Sequence, residues 1–185
     1  MKITEVVFIA VVSAALGVFW WGYTFFYDIF KPFLEPLGMK YLLAGIWLMG
    51  AIFFPYIIRK PGSAILGEII AAFIQGFIAR WGITSLLWGV VQGVPVEIFF
   101  LILGYKKWNV FYLMSAGIIS AFFSYLLDYF YYKYGILSVT FNLMQLGGFL
   151  LSGALLAGVF SKLLADNLKK TGALNQFEIA KSDFE

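Results

Sequence analysis

Long apolar stretches alternate with short polar or basic turns along almost the whole chain. The stretches cover about Ile3–Tyr27, Tyr41–Ile58, Ser63–Ala79, Ile83–Leu103, Val110–Phe130 and Val139–Leu164. Most approach or exceed the roughly 20 residues that a membrane-spanning helix requires. The pattern therefore predicts an all-α integral membrane protein, a bundle of six transmembrane helices.

The polar segments between and after these stretches suggest the remaining organisation. Asp28–Lys40 contains Pro32, Pro36 and Gly38 and reads as a loop. Proline also follows Gly93 and Val94 within the fourth stretch, where it should interrupt and kink the helix. We expect one membrane domain over residues 1–165 and a polar tail outside the bilayer over 166–185.

The amino-acid composition supports a membrane protein and excludes several kinds of chemistry. Apolar residues make up 62% of the 185 residues, above the share of about one half that is usual for soluble domains. The chain contains neither cysteine nor histidine. Disulfides, thiolate chemistry, the common zinc sites and histidine-based acid–base catalysis are therefore excluded.

The distribution of positive charge predicts the topology. If alternate turns lie on alternate sides, one side collects Lys2, Arg59, Lys60, Lys106, Lys107, Lys162, Lys169 and Lys170, and the other has Lys31, Lys40, Arg80 and Lys133. The positive-inside rule places the richer side, and with it both termini, in the cytoplasm. The formal charge of +3 thus reports membrane topology and does not indicate nucleic-acid binding.

Polar side chains inside the third and fourth stretches are candidates for a binding site. Glu68 and Gln75 share a helical face, and Trp88 and Gln92 form part of a polar and aromatic stripe that Glu97 follows. Polar groups are costly in hydrocarbon unless they meet a partner or a cavity. The alternative for each is a hydrogen bond to a neighbouring helix.

A second group lies near the predicted outer ends of the fifth and sixth stretches. Tyr125 and Asp128 share a face with further aromatic residues, and Asn142 and Gln145 are three residues apart. Aromatic faces and carboxylates attract cations. This group indicates a cation site, although an interfacial aromatic belt would give a similar pattern.

The first stretch carries small residues on one face. Ala10, Ser13, Ala14 and Gly17 follow the spacing of a single helical stripe. Such stripes let helices approach closely, either within one bundle or between subunits.

Several short motifs together resemble those of a known family. They are RKPG at 59–62, GE at 67–68, WG at 81–82, GVVQGVPVE at 89–97 and GYK at 104–106. In these motifs and in its length, the chain resembles the YkoE family of substrate-binding S components of energy-coupling factor (ECF) vitamin importers. Two departures concern the pocket: Gln75 stands where many relatives have an acid, and Pro95 where a small residue is expected.

The resemblance implies a function and partners. It implies capture of thiamin or hydroxymethylpyrimidine from outside, without a cofactor, in a multi-pass protein of the cell membrane. It also implies delivery through a transmembrane coupling subunit and ATPase subunits, with Ala10 and Ala14 matching the AxxxA docking motif. The chain has no G-x-x-x-x-G-K-[ST] motif, so ATP hydrolysis falls to partners.

Two other functions remain open on the sequence alone. A small homodimeric secondary transporter of a cationic substrate would use Glu68 or Glu97 for proton coupling. A membrane enzyme would use the same two acids as an acid–base pair, which the lack of histidine and of metal-ligand clusters disfavours.

Overall fold

The computed structural model describes residues 1–181, and all regular structure within that range is helical. The α-helices are α1 (Ile3–Leu34), α2 (Met49–Ile58), α3 (Ser63–Ile78), α4 (Ser85–Ile102), α5 (Val110–Tyr131), α6 (Val139–Ser152), α7 (Phe160–Lys170) and α8 (Glu178–Lys181). Short 3-10 helices cover Glu35–Leu37, Lys40–Leu48, Gly82–Thr84 and Tyr134–Ile136, and a π-helix covers Gly153–Val159.

The helices confirm the prediction of an all-α membrane protein. Five segments within the described residues are long and apolar enough to cross a bilayer, and the shorter α3 is also apolar. Their outward faces are rich in exposed apolar side chains, such as Val11, Phe33 and Ile102, as lipid contact requires. The count of six spans and the cytoplasmic position of the termini remain predictions.

Two predicted helix interruptions are wrong. Helix α1 continues through Asp28 and Pro32 to Leu34, so the predicted loop begins about seven residues later than expected. Pro32 lies in the last turn of α1, so any bend that it causes displaces only the last few residues of the helix. Helix α4 runs without a break through Pro95, so no interruption occurs there; the kink at Pro95 stays a prediction.

Two of the predicted spans are not α-helical throughout. Lys40–Leu48 is a 3-10 helix that leads into α2, and Gly153–Val159 is a π-helix between α6 and α7. The two segments meet where the backbone N–H of Gly45 donates to the Ser152 hydroxyl over 2.8 Å. A Cβ atom on Gly45 would lie 2.2 Å from the Ser152 carbonyl oxygen, so this contact requires glycine.

Helix α5 and the π-helix pack with their backbones in close contact. A Cβ atom on Gly117 would lie 2.0 Å from the carbonyl oxygen of Gly153, and one on Gly158 would lie 2.7 Å from the Cα atom of Met114. Small residues at such crossings are typical of membrane helices, whose association depends on close packing.

The C-terminal segment packs against the end of the bundle that holds the N-terminus. Leu174 and Phe177 are each 1% exposed, and the ring of Phe177 lies 4.4 Å from that of Phe8. Nearby, Lys60 forms an ion pair with Glu5 over 2.6 Å. Helix α7 crosses the predicted domain boundary at 165/166 without a break; the division itself remains a prediction.

The close contact between α5 and the π-helix makes a testable prediction. Gly117→Ala places a methyl group against the Gly153 carbonyl and should lower the free energy of unfolding by about 1–3 kcal/mol, as overpacking does. The matched control is Gly147→Ala, because a Cβ atom there meets nothing within 4 Å. The control should be neutral or stabilising, by up to about 1 kcal/mol. Thermal unfolding in detergent measures both; equal melting temperatures would contradict the prediction.

Candidate functional site

A cavity of about 510 Å³ opens at the end of the bundle opposite the N-terminus, which we call the cavity end. It lies between α1, the 3-10 helix Lys40–Leu48 and helices α3, α4 and α5. Its lining is aromatic and polar: Trp20, Tyr27, Asp28, Lys31, Glu35, Lys40, Tyr41, Ala44, Trp47, Ala72, Gln75, Arg80, Trp81, Ser85, Trp88, Gln92, Ser124, Asp128, Tyr132, Tyr134 and Phe149. Its volume falls within the range of about 300–1,000 Å³ that small-molecule sites occupy.

Three buried nitrogen donors in this lining have no hydrogen-bond partner among the described residues. They are Nε1 of Trp20, Nε1 of Trp47 and Nε2 of Gln75, and they come from α1, the 3-10 helix and α3. Buried donors are nearly always paired in folded proteins. The residues that carry these donors line the cavity, but the nitrogen atoms themselves are buried. A ligand with acceptor atoms would therefore pair with them only after these side chains turn toward the cavity.

Asp128 supplies an acceptor at the same cavity. Its Oδ1 atom accepts from the Trp88 indole over 2.7 Å, and the Tyr41 hydroxyl interacts with the same carboxyl group. Gln92 donates from Nε2 to the Ser124 hydroxyl over 2.9 Å. The cavity thus combines positioned donors, a carboxylate and aromatic faces.

Charged side chains surround the mouth of the cavity. Arg80 forms an ion pair with Asp28 over 2.7 Å, which joins the end of α3 to α1. Lys40 lies against the rings of Tyr41 and Tyr134, at 4.7 and 4.3 Å from their centroids. Burial raises the pKa of Tyr134, so its hydroxyl keeps its proton at neutral pH.

Of the residues that the sequence indicated, Gln75, Trp88, Gln92 and Asp128 lie together at this cavity. Tyr125, Asn142 and Gln145 are outside its lining. Tyr125 donates to Oδ1 of Asn142 over 2.7 Å, and Nδ2 of Asn142 donates to the Tyr134 carbonyl oxygen over 3.0 Å. These two residues hold the loop between α5 and α6 behind the cavity. Gln145 is buried, and its Oε1 atom has no partner among the described residues.

Glu97 lies outside the cavity, at the N-terminus of α3. Its carboxylate accepts from the backbone N–H groups of Gly62 and Ala64 over 2.6 and 3.1 Å. It also accepts from the hydroxyl of Tyr105, whose pKa is raised by burial and by this acid. The first N–H groups of a helix lack intrahelical acceptors, so Glu97 caps α3 from α4.

Glu68 does the same for α2 and also lies outside the cavity. Its Oε2 atom accepts from the Ala51 N–H over 2.7 Å, in the first turn of α2. Gly50 allows this approach, because a Cβ atom there would lie 2.7 Å from the same oxygen. The two acids that looked most like binding residues thus accept from helix N-termini, although Oε1 of Glu68 is buried and has no partner among the described residues.

The small face of α1 is divided between two surroundings. Ser13 and Gly17 are buried, and a Cβ atom on Gly17 would lie 2.5 Å from the Ala71 carbonyl oxygen on α3. Ala10 and Ala14 are partly exposed at the edge of this contact. They are therefore accessible to a partner, whereas Gly17 serves the bundle itself.

Sequence reasoning missed several cavity residues. Trp20 is one of the aromatic residues at the predicted outer end, which together indicate a cation site or an interfacial belt; it is 1% exposed and lines the cavity. Tyr41 and Trp47 gave no signal because the 3-10 segment that carries them looked like an ordinary apolar span. Lys40 looked like a charged residue of a loop, because the sequence alone does not show that the fold places it beside two tyrosines.

Three comparisons with known proteins match this chain, two of them over nearly its whole length. The model of a family described as "ABC-type cobalt transport system, permease component" matches residues 4–123. A Bacillus subtilis (strain 168) protein, named as the HMP/thiamine permease protein YkoE, is 34% identical over 181 residues, covering 97% of this chain and 90% of the relative. A solved structure, described as a crystal structure of an S-component of ECF transporter, superposes with a TM-score of 0.92 at 33% identity, covering 98% of this chain and 92% of the other.

Capping of α3 by Glu97 leads to a prediction about stability. Glu97→Gln replaces one acceptor oxygen by an NH2 group that faces N–H donors. It should lower the free energy of unfolding by about 1.5–3 kcal/mol, the usual range for hydrogen bonds to a charged group.

Thermal unfolding in detergent measures the effect. Glu35→Gln is the control, because Glu35 is exposed and its ion pair with Lys31 is long, at 4.0 Å. A melting temperature for Glu97→Gln equal to that of the control would contradict the capping role.

Proposed function

Because the chain belongs to the YkoE family of S components of energy-coupling factor transporters, we propose that it binds thiamin or hydroxymethylpyrimidine in the cavity and delivers it across the cell membrane. The chain is a multi-pass membrane transport protein and not an enzyme. We propose the identity of the ligand, the residues that bind it and the partners that take part in its delivery.

The observation that carries the proposal is the set of three unpaired donors on Trp20, Trp47 and Gln75. Both candidate ligands contain an aminopyrimidine, whose ring nitrogens accept hydrogen bonds and whose amino group donates. Once their side chains turn toward the cavity, the donors would meet the ring nitrogens, and the Asp128 carboxylate would accept from the amino group. A flat heteroaromatic ring also matches the aromatic lining, which offers faces for stacking.

The family model's description names cobalt, but the donor set favours an organic ligand. Cobalt and its neighbours in the first transition row prefer imidazole and thiolate ligands, and the sequence contains neither histidine nor cysteine. Within residues 1–181, no group of three or more acidic residues is placed to hold a metal ion. Aromatic walls and amide donors suit a vitamin better than a metal ion.

The proposal also accounts for the buried acids better than a proton-coupled carrier or an enzyme does. Glu68 and Glu97 accept from backbone N–H groups of two different helices, and neither lines the cavity. They are therefore poorly placed to couple proton movement to a substrate or to act as an acid–base pair on one.

Delivery requires an energy source that this chain lacks, since it has no phosphate-binding loop of the Walker type. We propose that a coupling subunit and ATPase subunits supply it. The partly exposed Ala10 and Ala14 on α1 are the docking surface that the small-residue pattern supports.

The proposed function is tested by titrating the purified protein in detergent, without partners or ATP. Four of the six tryptophans line the cavity, so a bound ligand should quench their fluorescence. We expect saturable quenching by thiamin or hydroxymethylpyrimidine and none by riboflavin. A folded protein that responds to neither pyrimidine ligand would overturn the assignment.

The role of the unpaired donors is tested by a pair of matched variants. Gln75→Leu removes one donor from the cavity and should weaken binding of the responding ligand about tenfold, as losing a buried hydrogen bond does. Gln145→Leu makes the same change at a buried amide outside the cavity and should leave the affinity within about twofold. Equal affinities for the two variants would remove Gln75 from the site.

The docking surface is tested by Ala10→Trp combined with Ala14→Trp. The bulky rings should prevent co-purification with the coupling subunit and leave ligand binding intact, because small-residue contacts depend on close approach. Ala15→Trp is the control, since Ala15 is exposed and about 100° around α1 from Ala14. If the double variant co-purifies with the coupling subunit as well as the control does, the docking proposal is wrong.

A further inference from the structure

We propose that Lys40 determines ligand specificity at this cavity: its ammonium group already balances Asp128, so the site disfavours a cationic ligand and prefers a neutral one. The inference rests on the proposed function and goes beyond it. It predicts that the neutral hydroxymethylpyrimidine binds more tightly than the thiazolium cation thiamin.

A chain of hydroxyl groups connects the two opposite charges. The Lys40 ammonium donates to the hydroxyl of Tyr134, and that hydroxyl shares a hydrogen bond of 3.0 Å with the hydroxyl of Tyr41. The Tyr41 hydroxyl in turn interacts with the Asp128 carboxyl group, which also feels the charge of Lys40 directly. The charge of Lys40 thus acts on Asp128, and Glu35 acts on the same ammonium group.

The Lys40 ammonium group lies against the aromatic faces that would otherwise attract a cationic ligand. It lies 4.3 Å from the ring centroid of Tyr134 and 4.7 Å from that of Tyr41, well within cation–π range. Both rings line the cavity. A thiazolium entering here would meet a positive charge where the ring pattern alone suggests an attractive site.

The other charged side chains at the mouth of the cavity do not give it an excess of negative charge. Arg80 pairs with Asp28, and Lys31 lies 4.0 Å from Glu35. With Lys40 and Asp128, the charged lining residues comprise three cations and three anions. The lining therefore has no formal excess of negative charge to attract a cation.

The test measures dissociation constants of thiamin and hydroxymethylpyrimidine by tryptophan quenching for the wild type, Lys40→Met and Lys133→Met. Methionine keeps most of the side-chain length and removes the charge. We expect Lys40→Met to raise the affinity for thiamin relative to hydroxymethylpyrimidine by about tenfold, the order expected for one nearby charge in a partly desolvated site. Lys133→Met, a change of charge at the same end but outside the lining, should leave the ratio unchanged.

A second measurement needs no variant. It compares thiamin with its neutral isostere, in which a carbon atom replaces the charged ring nitrogen, on the wild-type protein. Tighter binding of the isostere supports the inference, and equal or weaker binding overturns it. So does a ratio that stays constant or falls in Lys40→Met. Binding of neither pyrimidine ligand to the wild type would instead overturn the proposed function, and this inference with it.

Discussion

Inside a bilayer, the first N–H groups of a helix need acceptors that the protein itself provides, and the architecture of this chain depends on two carboxylates that do so. Glu68 reaches from α3 to the first turn of α2, and Glu97 reaches from α4 to the first turn of α3. Each acid stands on a neighbouring helix, so each cap also ties two helices together. Both acids are buried, so water cannot readily replace them as acceptors, and a buried peptide group without a partner is costly.

The residues before α2 have a different helical pitch, and they form part of the cavity wall. A 3-10 helix rises about 2.0 Å per residue, against about 1.5 Å for an α-helix. Lys40–Leu48 therefore reaches further toward the cavity end than an α-helix of equal length would. It carries Tyr41 and Trp47 along the cavity wall, and the Gly45 contact with Ser152 fixes its position.

The sequence was sufficient for the fold class but only partly for the site, and the reasons are physical. Spans follow from the length of apolar runs, which is a local property. An acid that caps a helix cannot be told by local pattern from one that faces a ligand, because the donors that Glu97 meets lie more than 30 residues away. Asp128 was recognisable by its aromatic neighbours on α5. Lys40 was not, because its tyrosine partner Tyr134 lies 94 residues along the chain.

The end of the bundle that holds the N-terminus and the C-terminal segment is tightly packed. Phe54, Phe100 and Phe177 are at most 1% exposed, and none of the residues that line the cavity comes from this half of the bundle. The lining of this cavity therefore does not continue to the N-terminal end of the described bundle. On the proposed function, a ligand would cross the membrane when the opening of the cavity changes sides, and not by passing through the bundle.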